Sequence, residues 1–274
     1  MAKLLIVGGG KMGGALLGGL LGRGLYAAAT VTVVEPLPER RKELEESYPG
    51  LQTAAAPEPG LLDVLDETSE DRCGAVLAVK PDQADGACRL LGATGVTRVL
   101  SIVAGVPCQR LESALGGEPA VIRAMPNTPA LIGAGVAAMS GGSFTTSADL
   151  GWAEALLDSL GVVVRLPERM LDAVTGLSGS GPAYFFLVAE AMIEAGVQMG
   201  LSREVSHTLV VQTMRGSAAL LAETEREPAS LRADVTSPAG TTAAGVRALE
   251  SRAVRSAFME AVAAATERSR NLQR

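Results

Sequence analysis

The stretch Lys3–Gly14, KLLIVGGGKMGG, narrows the choice of fold more than any other part of the chain. Lys3–Val7 is a short continuous apolar run, as expected of a strand buried on both faces. The triplet Gly8-Gly9-Gly10 follows at once, and Gly14–Leu21 reads as a helix. Gly8, Gly10 and Gly13 thus stand as G-x-G-x-x-G between a strand and a helix. The first glycine permits the tight turn, the second lets a pyrophosphate approach the backbone, and the third lets the helix pack on the strand. Lys11 and Met12 complete the loop, whose helix start offers free N–H groups to an anion. The same N-terminal stretch superficially resembles a secretory leader. Lys11 interrupts its apolar run, however, and the glycines would weaken a leader helix.

The next strand, Thr30–Val34, ends in Glu35, where a carboxylate can accept ribose hydroxyls. A carboxylate there repels a 2′-phosphate and so favours NADH, whereas Arg40 and Arg41, a turn downstream, can reach such a phosphate. Both cofactors therefore remain open. Further strands are expected at Ala75–Val79, Val99–Val103 and Ala120–Ala124, separated by helices near Gln83–Leu91 and Gln109–Leu115. Strands alternating with helices give a doubly wound parallel sheet, which binds ligands beyond the carboxyl ends of its strands. Three turns fall at that edge: Val79-Lys80-Pro81, Ala104-Gly105-Val106 and Met125–Pro129. Lys80 can meet a ribose or phosphate there, or be a solvated loop lysine. Asn127 can meet a nicotinamide amide or the substrate, or simply form a turn between two prolines. The acidic stretch 57–72 is expected to be a surface helix and loop.

Gly161–Leu166 reads as the last strand, and strand signals stop after Pro167. Gly176–Pro182 suggests a hinge-like turn, followed by helices at Ala183–Met199, Ser202–Thr224, Thr242–Glu250 and Ala253–Arg270. Ser202 is the expected cap of the second of these, with Glu204 in its first turn. The organisation is therefore a dinucleotide-binding domain over 1–166 and an all-helical domain over 167–274. Helices this apolar make a thin domain on their own, so a homodimer is expected to complete the core. The loop Ser237–Thr242 gathers small residues and hydroxyls at a helix start, a pocket for a carboxylate. Glu225 can balance a cationic nitrogen in the same ligand, which points to an amino-acid-like zwitterion; a decorated helix cap is the plainer alternative.

A net charge of −6 and a pI near 5.0 argue against nucleic acid. No stretch is long and apolar enough to span a membrane. Cys73, Cys88 and Cys108 sit at no metal-ligand spacing, and His207 is the single histidine, so no metal is expected and a reduced, cytoplasmic setting is.

GGGKMG at Gly8–Gly13, AVKP at Ala78–Pro81, RAMPNTPA at Arg123–Ala130, GLSGSGPAY at Gly176–Tyr184 and VTSPAGTTAAGVRALE at Val235–Glu250 occur together and in order. In them the chain resembles the pyrroline-5-carboxylate reductases of proline biosynthesis. The resemblance implies an α/β Rossmann-type doubly wound parallel sheet followed by an all-α dimerisation domain. It implies reduction of the cyclic imine 1-pyrroline-5-carboxylate to L-proline by NADPH or NADH, with dimers often assembled into a decamer. On this sequence it would put Gly8, Gly10, Gly13, Lys80 and Asn127 on the cofactor side. It would put Glu225, Ser237, Gly240, Thr241 and Thr242 on the substrate, Thr242 nearest the ring nitrogen. Ala239 departs from the pattern, which usually shows glycine there, and so does Glu35. A protonated imine accepts hydride directly, so the lack of a placed histidine base fits this chemistry. A β-hydroxyacid dehydrogenase would need a lysine in the helical half, and no lysine follows Lys80. A non-catalytic cofactor-binding protein would have no use for the carboxylate pocket.

Overall fold

A computed structural model describes residues 3–62, 73–117 and 119–272. Two compact units divide the chain: Met1–Ser180 with Ala264–Arg274, and Gly181–Ala263. In the first unit, β1 (Leu4–Val7), β2 (Val31–Val34), β3 (Gln52–Ala54), β4 (Gly74–Leu77), β5 (Arg98–Ser101), β6 (Ala120–Met125), β7 (Gly135–Gly141) and β8 (Gly161–Arg165) form one sheet in the order β3-β2-β1-β4-β5-β6-β7-β8. All neighbours are parallel except β6 and β7, so the last two strands run against the other six. The sheet is therefore mixed at one end rather than parallel throughout, because β6 returns directly into β7 with no crossover helix.

The period-two alternation of β1 decides how the helices wrap it. Leu4 and Ile6 point into one apolar cluster with Leu16, Leu17 and Leu20 of α1 (Lys11–Gly22), Leu44 of α2 (Pro38–Ser47) and Leu156 and Leu157 of α5 (Ser147–Asp158). Leu5 and Val7 point into a second cluster with Cys88 and Leu91 of α3 (Ala84–Gly92) and Leu111 and Leu115 of α4 (Cys108–Leu115). Both faces are thus covered, as the unbroken apolar run of β1 requires. The three cysteines lie buried in the second layer, and burial pushes the Cys88 and Cys108 thiols up to about 12. Such thiols are packing groups, not nucleophiles.

The chain beyond β8 passes through a short 3-10 turn, Glu168–Met170, into the single turn α6 (Leu171–Val174). The expected hinge near Gly176 is instead wound as a π-helical segment, Thr175–Gly179. A Cβ on Gly179 would sit 2.6 Å from Met125 Cε, so glycine there allows a close approach to the end of β6. The second unit comprises α7 (Gly181–Gln198), α8 (Arg203–Thr224), α9 (Pro228–Asp234), α10 (Thr241–Glu250) and the greater part of α11 (Val254–Asn271). The Ser202 hydroxyl caps α8 by accepting from Val205 N–H at 3.2 Å, as expected. Helix α9 was not among the expected elements; Pro228 at its first turn starts it. The last turns of α11 belong to the first unit, where the Ser269 hydroxyl donates to Asp172 at 2.8 Å. Part of the acidic stretch 57–72, residues 63–72, lies outside the described residues.

Candidate active site

In the first unit, β1, β2, β4, β5 and β6 are parallel, so their carboxyl ends open on the same edge of the sheet. That edge carries Gly8–Gly13, Glu35, Ala78–Pro81, Ala104 and Asn127, five separate sequence segments brought together by topology alone. The strand order reverses about β1, whose neighbours are β2 and β4, and a crevice opens at such a point.

The glycines divide by what surrounds them. Gly8 has φ +109°, and a Cβ there would lie 2.4 Å from the Ala78 carbonyl oxygen. A Cβ on Gly13 would lie 2.0 Å from the Gly8 oxygen, so α1 can seat on β1 only with glycine there. Gly10 differs, since a Cβ on it would meet nothing within 4 Å. It borders open space at the start of α1, where no side chain caps the helix and no acidic residue occupies the first turn. The first N–H groups of α1 therefore face that space without a helical acceptor. A diphosphate fits this cradle, both by shape and by charge.

Glu35 is buried, and its Oε2 accepts from Gly9 N–H at 3.0 Å while Oε1 accepts from Leu37 N–H at 3.1 Å. Arg40 donates from Nε to the Gly9 carbonyl at 2.8 Å, and Arg41 donates to the Glu35 and Pro36 carbonyls. Lys80 is exposed at the turn Pro81–Gln83, beside the half-buried Ala78 and Val79. Ala104 is half-buried before Gly105, whose φ of +72° closes that turn. Asn127 is held by the protein: its Oδ1 accepts from Val136 N–H at 3.0 Å and its Nδ2 donates to the Ser178 carbonyl at 3.2 Å. It thereby joins β6, β7 and the π-helical segment.

In the second unit, Gly240 stands at the N-cap of α10 and, having no side chain, makes no side-chain cap to the first-turn donors. Gly240 N–H donates to the Ser237 carbonyl at 3.1 Å, and a Cβ on Gly240 would lie 2.3 Å from Ser237 Oγ. Ser237 and Thr241 are exposed and Thr242 is half-buried, all clustered at the N-terminus of α10. Ala239 adopts φ +58°. Glu225 ends α8 at φ +51°, and no hydrogen bond joins it to the loop among the described residues. Two features escaped sequence reasoning. One is the grip on Gly9 by Glu35 and Arg40. The other is the buried Arg123, which lies 3.4 Å from Glu168 and 3.5 Å from Asp172, while Glu168 accepts from Cys108 N–H at 2.7 Å. The acid following the second strand was a signal for the first; the partners of Arg123 lie 45 or more residues away and leave no local signal.

Residues 168–272 match the family model for pyrroline-5-carboxylate reductase dimerisation, and residues 3–105 match that for NADP oxidoreductase, coenzyme F420-dependent. The pyrroline-5-carboxylate reductase of Synechocystis sp. is 42% identical over 98% of both chains. The chain belongs to the pyrroline-5-carboxylate reductase family. The Mycobacterium tuberculosis reductase is 41% identical over 100% of this chain and 97% of its own. Among solved structures, the Coxiella burnetii reductase superposes with a TM-score of 0.88 at 32% identity, covering 100% of this chain and 99% of that one. The Plasmodium falciparum reductase, solved with NADP bound, gives 0.85 at 30% identity, covering 100% and 98%. The family match thus extends over both units and includes each of the two uncapped helix starts.

Proposed function

We propose that this chain is a pyrroline-5-carboxylate reductase, reducing 1-pyrroline-5-carboxylate to L-proline with NADPH or NADH. The observation that carries the reading is the match to curated reductases of this name over 98% of the chain or more. The site chemistry supports it. The cofactor supplies a hydride to the carbon of the C=N bond. Gly10 and the first N–H groups of α1 hold the diphosphate, Lys80 adds a cation at the same edge, and Glu35 meets the adenosine ribose. The first-turn N–H groups of α10, with the Ser237 and Thr241 hydroxyls, hold the substrate carboxylate. Thr242 orients the ring nitrogen through its hydroxyl, with Glu225 as the balancing negative charge. Such a reaction asks the protein for orientation and charge stabilisation more than for a strong base.

The working form in this reading is a homodimer built through the helical half, with a decamer as its higher assembly and the cytoplasm as its place. The matched dimerisation model supports the dimer, and buried cysteine thiols suit a reducing compartment. Among the described residues, no helix is long and apolar enough to cross a membrane.

The test is oxidation of NADH, and separately NADPH, by purified protein supplied with pyrroline-5-carboxylate, with proline identified as the product. Thr242→Ala is expected to lower kcat/KM for the imine by about tenfold or more, the scale of a lost hydrogen bond to a charged group. Its affinity for either nucleotide should stay within about twofold, because that nucleotide is held by other elements. Absence of turnover by the wild type, or equal losses in imine turnover and nucleotide binding, would defeat the respective claims.

A further inference from the structure

The turn Ala104–Val106, between β5 and α4, is held by the first unit from both ends. At one end Gly105 lies against the last turn of α11, where a Cβ on it would sit 3.0 Å from Leu272 Cβ and 3.5 Å from the Ser269 carbonyl oxygen. At the other end Pro107 stands at the N-cap of α4 and makes no side-chain cap. Glu168, 60 residues further on, supplies an acceptor instead: its Oε1 accepts from Cys108 N–H at 2.7 Å. The start of α4 is thus closed by a carboxylate of the protein, whereas the start of α1 borders open space at Gly10.

Both holds end on Arg123. Its Nη1 lies 3.4 Å from Glu168 and its Nη2 3.5 Å from Asp172, and Asp172 accepts from the Ser269 hydroxyl of α11 at 2.8 Å. Arg123 pairs in register with Ser101, the last residue of β5, so the cation stands beside the strand end from which the turn departs. Val121, two residues earlier, faces the cluster that holds Leu111 and Leu115 of α4, and the alternation of the strand turns Arg123 the same way. Arg123, Asp172 and Ser269 are buried, so the cation and the two carboxylates close a ring around the turn that water reaches only at Glu168. Buried ion pairs add little net stability, and their best-attested use is to fix one arrangement against others. The arrangement fixed here is that of the turn. It lies at the ligand edge on the β4–β5 side of β1, opposite β2, whose end reads the adenosine ribose; that side receives the nicotinamide half.

We propose that Glu168 is a positioning residue: through Cys108 N–H, and braced by Arg123, it holds the Ala104–Val106 turn in the shape that receives the nicotinamide half of the cofactor. The proposal rests on the reductase reading above but is tested by binding. A turn that the ligand itself must order lowers the observed affinity by the fraction of molecules already in shape. NADH and 5′-ADP, which carries only the adenosine half, would be titrated by calorimetry into the wild type, Glu168→Ala and Glu168→Gln. The Glu168 side chain is 32% exposed, so its removal opens no cavity in the core. Glu168→Ala is expected to weaken NADH about tenfold, as when the competent fraction falls to about a tenth, and to leave 5′-ADP within about twofold. Glu168→Gln, whose side-chain carbonyl still accepts from Cys108 N–H, should hold NADH within about threefold of wild type. A general loss of structure would weaken both ligands together. Equal losses for NADH and 5′-ADP, an unmoved NADH affinity, or a Gln variant as weak as the Ala variant would overturn the proposal. If Glu168→Ala does not fold, Ser269→Ala decides: NADH weakened about threefold or more with 5′-ADP unmoved supports the ring, and any other pattern overturns it. Wild type that binds NADH, with these shifts in the variants, but does not reduce the imine would leave the positioning role standing and remove the reductase reading.

Discussion

A methyl group added at Gly13 would sit 2.0 Å from the Gly8 carbonyl oxygen, whereas one added at Gly10 would meet nothing within 4 Å. Two glycines of one motif therefore answer to different forces, packing at one and ligand approach at the other. Gly13→Ala is expected to destabilise the first unit by about 1–3 kcal/mol, because backbone must move to relieve the overlap. Gly10→Ala should leave the unfolding free energy of the free protein within about 0.5 kcal/mol of wild type and still weaken NADH and NADPH binding. Calorimetric titration beside equilibrium unfolding checks the pair, and a Gly10→Ala protein with wild-type affinity would contradict the diphosphate site. The motif was legible in the sequence because its geometry is local, a strand, a turn and a helix following one another between Leu4 and Gly22. Asn127 was not. Between Pro126 and Pro129 it reads as a turn residue or a ligand contact, but its carboxamide is spent on Val136 and Ser178. Ser178 is 51 residues away, and no spacing rule anticipates a partner at that range.

Among the elements, those with strong apolar patterns stood out in the sequence and those without did not. The parallel strands β1, β2, β4, β5 and β6 each carry a buried apolar run, whereas β3 is the three residues Gln-Thr-Ala at a sheet edge, half-exposed and without pattern. β7, Gly-Val-Ala-Ala-Met-Ser-Gly, is made of small residues that neither alternate nor favour strand. It is held in place by pairing on both sides, and with it the direction of β8 is reversed. The entry to α10 shows the opposite case, a local departure whose meaning needs the backbone. Ala239, where the family pattern usually has glycine, adopts φ +58°. A left-handed conformation costs a residue bearing Cβ about 1–2 kcal/mol, so the loop before α10 carries that strain just ahead of the Gly240 cap. Ala239→Gly is expected to raise unfolding stability by about 0.5–1 kcal/mol, the relief of strain outweighing the looser unfolded chain. Urea unfolding reads this directly, and a stability unchanged or lowered would show that the loop relaxes differently from the geometry described.

At the scale of the whole molecule, the two units differ in how much apolar surface they cover. In the first, among the described residues, twenty buried side chains form the cluster on one face of the sheet and eighteen that on the other. In the helical unit the pattern inverts. Phe185, Phe186 and Leu187 of α7 are 64%, 68% and 65% exposed, Met259 of α11 is 71% exposed, and Leu209 of α8 is 54% exposed. The helix sequence foretold this, since α7 carries apolar residues around most of its circumference and cannot bury them within so small a unit. Large apolar side chains exposed in this number on a protein in water mark an association surface, and the dimerisation model spans these same helices. The chain is therefore expected to elute as a dimer or a larger assembly at micromolar concentration, by light scattering on a sizing column. Phe186→Glu places a charge within that face and should shift the population toward smaller species and lower the melting temperature in a concentration-dependent way, because stability is linked to assembly by mass action. Nucleotide binding by the first unit should persist in the same variant. A wild type that runs as a monomer with the melting point of its variant would mean that these side chains stay in water, and the reading of the helical half as an assembly surface would fall.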